Sequence, residues 1–196
     1  MKRVKKMTNK LIIDVSSSQV HPIDFKKVKK AGVKAVILKA TQGTDYVNPF
    51  FHEDLEGCNK VGLPVMAYHF AEFGDVNAEV EAFTKVAGSR ARALDIETST
   101  NAAWATEFLQ AIQKQFSLNR DQTMLYGSAS SIPQGNPREF LLWVAAYHTT
   151  PNNSTVPNTS LWQYSDSGKI DGINNNVDLS KWVGTTQNFN SFFGLK

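Results

Sequence analysis

Apolar residues along this chain fall into short runs that alternate with helical stripes. Leu11-Ile12-Ile13-Asp14-Val15 reads as an apolar strand with one acid inside it, followed by the polar loop Ser16–Gln19. Pro22 suits a helix start, Phe25, Val28 and Ala31 recur at helical spacing with lysines on the wet face, and Gly32 ends the stripe. Ala35–Leu38 is a second buried strand, running into Lys39-Ala40-Thr41-Gln42-Gly43. Residues 50–60 predict a second helix stopped near Gly62, and Pro64–Phe70 a third strand. Val76, Val80, Phe83 and Ala87 mark a helix over 76–87, and Trp104, Phe108, Ile112 and Phe116 another over 101–116. Between those two helices lies the strand Ala93–Glu97.

Thr123–Tyr126, Leu141–Tyr147, Leu161–Tyr164 and a last piece with Ile173 and Val177–Leu179 complete eight strands. Strand–helix alternation in the first half implies a parallel sheet, and eight strands suggest closure into a barrel. A full eight-helix barrel typically takes ~250 residues, so this chain of 196 is expected to have shed helices late in its course. The expected organisation is a basic N-terminal tail over 1–10, one barrel over 11–183 and a short C-terminal tail over 184–196.

Composition narrows the class. With 41% apolar and 20% charged residues the chain is an ordinary globular protein. Its net charge of +3 owes much to Lys2, Arg3, Lys5, Lys6 and Lys10, a solvated tail with at most a weak leaning toward an anionic surface such as a bacterial wall. Cys58 is the one cysteine, which excludes an intramolecular disulfide and a cysteine-based metal cluster. The apolar run after the basic start, Leu11–Ile13, is too short for a signal peptide, and nothing approaches a membrane span.

The chemistry centres on Asp95 and Glu97. Leu94 and Ile96 read as one strand face and the two acids as the other, with Cα atoms roughly 7 Å apart. Two like charges on one face gain the fold nothing, so a paired-carboxylate site at a strand's C-terminal end is the functional reading, and an ordinary wet strand the bland one. Asp14 and Asp178 lie in or beside other apolar runs. Four acids from three strand ends can converge on one barrel mouth, where they push one another's pKa values apart. Glycosidic cleavage needs such a division between a proton donor and a charged carboxylate.

These motifs carry a resemblance. Asp14-Val15-Ser16 with Gln19, Lys39–Gly43, Gly62-Leu63-Pro64 leading to Tyr68-His69-Phe70, Leu94–Glu97, Leu125-Tyr126-Gly127, Leu142–Ala145 with Tyr147, Leu161–Ser165, and Gly172-Ile173 followed by Val177-Asp178-Leu179 stand in the order seen in family 25 glycoside hydrolases. These are the Chalaropsis-type lysozymes of phage endolysins and bacterial autolysins. The resemblance implies an irregular α/β TIM-like barrel of eight strands and about five helices, cutting the β-1,4 bond between N-acetylmuramic acid and N-acetylglucosamine in peptidoglycan. It implies Glu97 as general acid/base, Asp95 as the acid beside it, and Asp14 and Asp178 as flanking carboxylates. Tyr68, Tyr126, Gln163 and Lys39 are implied to bind substrate. Gln42 departs from the pattern, since many members carry Glu there. Asp95 is expected to assist through the substrate's own N-acetyl group, with direct activation of water as the other mechanism.

No cofactor, metal, nucleic acid or membrane span is expected, and a monomer is. His69 lacks a partner at ligand spacing, His21, His52 and His148 are isolated, and Ser16-Ser17-Ser18 lacks the Gly-x-Ser-x-Gly elbow. Trp104 is expected in the core, while Trp143 and Trp162 suit either core or sugar stacking. Two other functions fit the same barrel, a wall-binding protein without turnover and a chitinase-like hydrolase. The expected setting is a host cytoplasm followed by release to the wall, if this is an endolysin, with a trimmed autolysin as the other origin.

Overall fold

The computed structural model describes residues 10–97, 101–132, 139–147 and 159–196; most of the basic tail, Thr98-Ser99-Thr100 and His148 lie outside them. Its elements are β1 (Lys10–Val15), α1 (Phe25–Lys30), β2 (Ala35–Gln42), β3 (Tyr46–Val47), α2 (Phe51–Val61), β4 (Val65–Phe70), α3 (Val76–Ala87) and β5 (Ala91–Asp95). They continue with α4 (Ala102–Phe116), β6 (Met124–Ser128), β7 (Leu141–Ala145), β8 (Thr159–Gly168), β9 (Val177–Trp182) and α5 (Thr186–Phe193).

Eight of these strands close into a barrel in the order β1-β2-β4-β5-β6-β7-β8-β9, with β9 returning to β1. Neighbours from β1 round to β8 run parallel, while β9 is antiparallel to both β8 and β1. The link from Gly168 to Val177 explains the reversal, because a parallel return needs a crossover of about a dozen residues or more. The two-residue β3 pairs back on the end of β2 outside the barrel; a piece this short leaves no period-two pattern to read.

Alternation along the strands makes two apolar layers. Ile13, Val15, Val36, Leu38, Leu94, Ile96, Leu142 and Val144 face outward, against α1–α4. Ile12, Ile37, Met66, Ala93, Met124, Trp143 and Leu161 fill the barrel. Asp24 fixes where α1 begins. Its side chain accepts the Lys27 amide, so the first turn opens at Phe25 instead of at Pro22. Residues 184–196 are more than a tail. Thr185 caps α5, and Phe189, Phe192 and Phe193 pack with Trp182 across the lower end of the barrel. Asn/Phe-rich spacing over so few residues hid that helix, and its three apolar rings find cover only on the closed barrel.

His69 is buried in the outer layer. Its ring lies between Thr41 Oγ1 at 2.8 Å and Glu79 Oε2 at 2.8 Å, stacked near Phe108. Glu79 also accepts the Glu72 and Gly74 amides, which ties the β4–α3 loop to the barrel. Burial lowers the His69 pKa while its bond to Glu79 opposes this. Glu79 is buried too, but the bonds from His69 and the two amides hold its carboxyl below the ordinary value. Sequence spacing missed this partner, ten residues away on the next helix.

Candidate active site

The inner faces of the strands change character one layer up. Two residues beyond Ile12, Ile37, Met66, Ala93, Met124, Trp143 and Leu161 come Asp14, Lys39, Tyr68, Asp95, Tyr126, Ala145 and Gln163. Strand β9 runs the other way and brings Asp178 opposite Asp14 in register. Period-two alternation therefore sends one ring of mostly polar groups to the C-terminal mouth of the parallel strands.

Asp95 ends β5 and is 6% exposed; its Oδ1 has no protein partner among the described residues. Glu97 lies beyond the strand, at an exposed bend. The two acids are thus not equivalent neighbours on one strand face, because ladder pairing ends with the Ile96 amide donating to the Tyr126 carbonyl. Burial pushes the Asp95 pKa well up, the charges of Glu97 and Asp178 add to this, and Lys39 opposes it.

Asp14 is 6% exposed, and burial raises its pKa well above the ordinary carboxylate range, with the Asp178 charge and a hydrogen bond to Asp178 adding to it. Burial also raises Asp178, while the bond from Asp14 pulls it back down. The contact between them thus raises one carboxyl and lowers the other, so the two differ in proton affinity.

Gln163 holds that pair in place. It is 2% exposed, and its Oε1 accepts the hydroxyls of Tyr126 at 2.8 Å and Tyr147 at 2.9 Å. Its Nε2 donates to the two Asp14 oxygens at 3.1 and 3.3 Å. Two phenols on one end and a carboxyl on the other fix which way the amide points. Burial raises the Tyr126 pKa, and the charges of Asp14, Asp95 and Glu97 act on it as well. Burial holds the Tyr68 proton too, and the charges of Asp95, Asp14, Asp178 and Glu97 all reinforce it. One phenol feeling all four acids is the electrostatic sign that they meet in one mouth.

Glu97, Tyr126, Ser128, Ser131, Ala145 and Tyr147 line a cleft of about 350 Å³. Tyr147, Ser128 and Ser131 were not candidates from sequence, although Ser128 follows Tyr126 at the inward period of β6. Tyr147 is 42% exposed, and burial of its remainder pushes its phenol up to about 12. The tryptophans take structural places. Trp143 is buried in the barrel with its indole N–H donating to Ser180 Oγ, and Trp162 sits on the outer face under Lys181, donating to the Ala146 carbonyl. Trp104 packs against Phe73 and Phe108, as its helical stripe predicts.

Among the described residues, no group of three His, Cys, Asp or Glu side chains has the arrangement to hold a metal ion. Nor is any described helix long and apolar enough to cross a membrane. What the mouth offers is a set of carboxyls with unequal proton affinities, one lysine, and phenols and amides suited to sugar hydroxyl and acetamido groups.

Known proteins resemble this chain in fold and sequence. The bacterial lysozyme of Streptomyces coelicolor superimposes with a TM-score of 0.82 at 25% identity, over 95% of this chain and 98% of that one. The autolytic lysozyme of Clostridium acetobutylicum is 26% identical over 180 residues, 87% of this chain, which spans 55% of that relative's length. The N,O-diacetylmuramidase of Chalaropsis is 28% identical over 199 residues, covering 85% of this chain and 93% of that protein. Residues 13–173 match the pattern of glycosyl hydrolases family 25, a stretch that ends just before β9 and Asp178. With that match spanning most of the barrel, the chain belongs to family 25 of the glycosyl hydrolases.

Proposed function

We propose that this glycosidase is a muramidase, hydrolysing the β-1,4 bond between N-acetylmuramic acid and N-acetylglucosamine in bacterial peptidoglycan. The observation that carries this is the mouth itself, where Asp14, Asp95 and Asp178 feel one another's charge and Glu97, whose charge reaches Asp95 and Asp178, lines an open cleft. The Clostridium and Chalaropsis relatives support the choice of substrate by their names.

In this reading Glu97 stands at the cleft wall and gives its proton to the glycosidic oxygen as the C–O bond breaks. The acetamido oxygen of the substrate attacks the anomeric carbon, and Asp95 accepts the acetamido N–H and balances the positive charge that develops. Glu97 then takes a proton from water as water opens the ring so formed, which retains the configuration. The unpartnered Asp95 Oδ1 supports this role, since a buried acceptor without a protein donor suits a substrate N–H. Asp14 and Asp178 flank the site as carboxyls of unequal proton affinity, with Gln163, itself held by the Tyr126 hydroxyl, fixing Asp14.

The test compares wild type and Glu97→Gln on bacterial walls by zymogram, with mass spectrometry of the products. Loss of a general acid costs about 10²–10⁴-fold in rate. Unchanged clearing by the variant would remove Glu97 from the mechanism, and products lacking reducing-end muramic acid would exclude a muramidase.

A further inference from the structure

Gly127 stands inside β6, in the run Leu125-Tyr126-Gly127, and its φ is not positive. The position therefore asks for space, since glycine in an ordinary strand backbone weakens it and marks the close approach of another group. An added Cβ would stand 2.6 Å from Ser131 Oγ, 3.2 Å from the Ile96 carbonyl oxygen and 3.4 Å from Ile132 Cγ1. Ser131 belongs to the turn after β6, where its amide and that of Ile132 donate to the Ser128 carbonyl. A serine hydroxyl can swing aside, but a backbone carbonyl cannot do so freely.

Ile96 is held on two sides. Its amide donates to the Tyr126 carbonyl at 3.0 Å, and its side chain is buried in the outer apolar layer. β6 is no freer, because the Tyr126 hydroxyl is bonded to the buried Gln163. The carbonyl can therefore yield to a Cβ only by rotation of the planar Ile96–Glu97 peptide, and the Glu97 backbone turns with that plane. Glu97 lies just past the end of β5 and lines the cleft with Ser131.

We propose that Gly127 is a positioning residue for the reaction, whose lack of a side chain lets the Ile96–Glu97 peptide lie close on β6 and so sets the Glu97 carboxyl at the cleft wall. This rests on the reading of Glu97 as the general acid/base. A Cβ at 127 displaces the carbonyl by a few tenths of an ångström. Misplacement by about 1 Å can cost about 10²-fold, so a shift of this size costs about three- to tenfold.

Gly127→Ala is expected to melt cooperatively, keep KM on soluble peptidoglycan fragments within about twofold and lower kcat by about three- to tenfold. The decisive readout is the same substitution placed in Glu97→Gln. Once the general acid is gone its placement has no value, so the alanine is expected to cost less than about twofold there. An equal loss in both backgrounds means a defect elsewhere in the mouth and overturns the proposal, as does a wild-type kcat in folded Gly127→Ala. Ser131→Ala removes the nearest contact and leaves the Ile96 carbonyl, which covers the case in which Gly127→Ala alone fails to fold. Adding Gly127→Ala to Ser131→Ala is expected to lower kcat by the same factor relative to Ser131→Ala, and no such loss overturns the proposal too. Glu97→Gln by itself keeps the two readings apart. If it retains activity, the catalytic assignment falls; if it loses about 10²–10⁴-fold while the alanine costs the same in both backgrounds, the positioning role alone falls.

Discussion

Replacing Gln163 by leucine tests the network that organises the mouth. Leucine is close in volume, so the main loss is hydrogen bonding. Tyr126, 7% exposed, loses the acceptor for its hydroxyl, an unsatisfied buried group worth about 1–3 kcal/mol. Tyr147 is open to solvent and takes water instead, so its bond contributes little. Asp14 loses its amide donor, worth about 1.5–3 kcal/mol where Asp14 is ionised and less where it is protonated. The sign follows from linkage. A carboxyl raised in the folded state gives its full stability below the unfolded value of about 3.9 and loses it as pH climbs through the folded value. Gln163 lowers the Asp14 pKa, so removing it raises that value further and deepens the loss at neutral pH. Urea unfolding followed by tryptophan fluorescence is expected to give a deficit of about 1–3 kcal/mol near pH 4, rising toward about 2.5–6 kcal/mol near pH 7 as Asp14 ionises. A deficit that is equal at both pH values, or larger in acid, would refute the argument.

Two further outcomes concern groups outside the mouth. Glu79→Gln weakens the bonds that the carboxylate accepts from His69 and the two loop amides and is expected to cost about 1.5–3 kcal/mol. The wild-type pair also predicts its own pH dependence: the His69 and Glu79 pKa values are both lowered, so their stability is present above the unfolded values and lost as pH falls from about 6.5 downward. Wild-type stability that held steady or rose as pH fell below about 6.5 would count against it. Arg92, 9% exposed, has no partner for Nε or Nη1 among the described residues, and burial lowers its pKa. Arg92→Met is therefore expected to leave the melting midpoint unchanged or raise it, by up to about 1–3 kcal/mol of stability; a clear drop would mean that the guanidinium has a partner in solution.

Much of this protein is legible in its linear pattern. Strand runs with an acid at their ends, and stripes at 76–87 and 101–116, follow from local periodicity, because burying one face requires it. The inward positions Asp14, Lys39, Tyr68, Asp95, Tyr126 and Gln163 were readable as well, since alternation and motif order both act along the chain. The last helix was not. The pattern of Phe189, Phe192 and Phe193 has no meaning until a barrel end exists for them to cover. Tertiary structure alone decided the rest. It set Asp178 against Asp14 through an antiparallel return, brought Glu79 to His69 and Glu72 to Gln42 across separate elements, and ended β5 between Asp95 and Glu97. The sequence by itself determined which acids exist and that Asp14 and Asp95 alternate with outward apolar neighbours, because that is a property of each strand's repeat. Which acid is buried, which holds its proton more tightly and which stands at the cleft wall depends on the neighbours that desolvate and charge it, and folding alone supplies those neighbours.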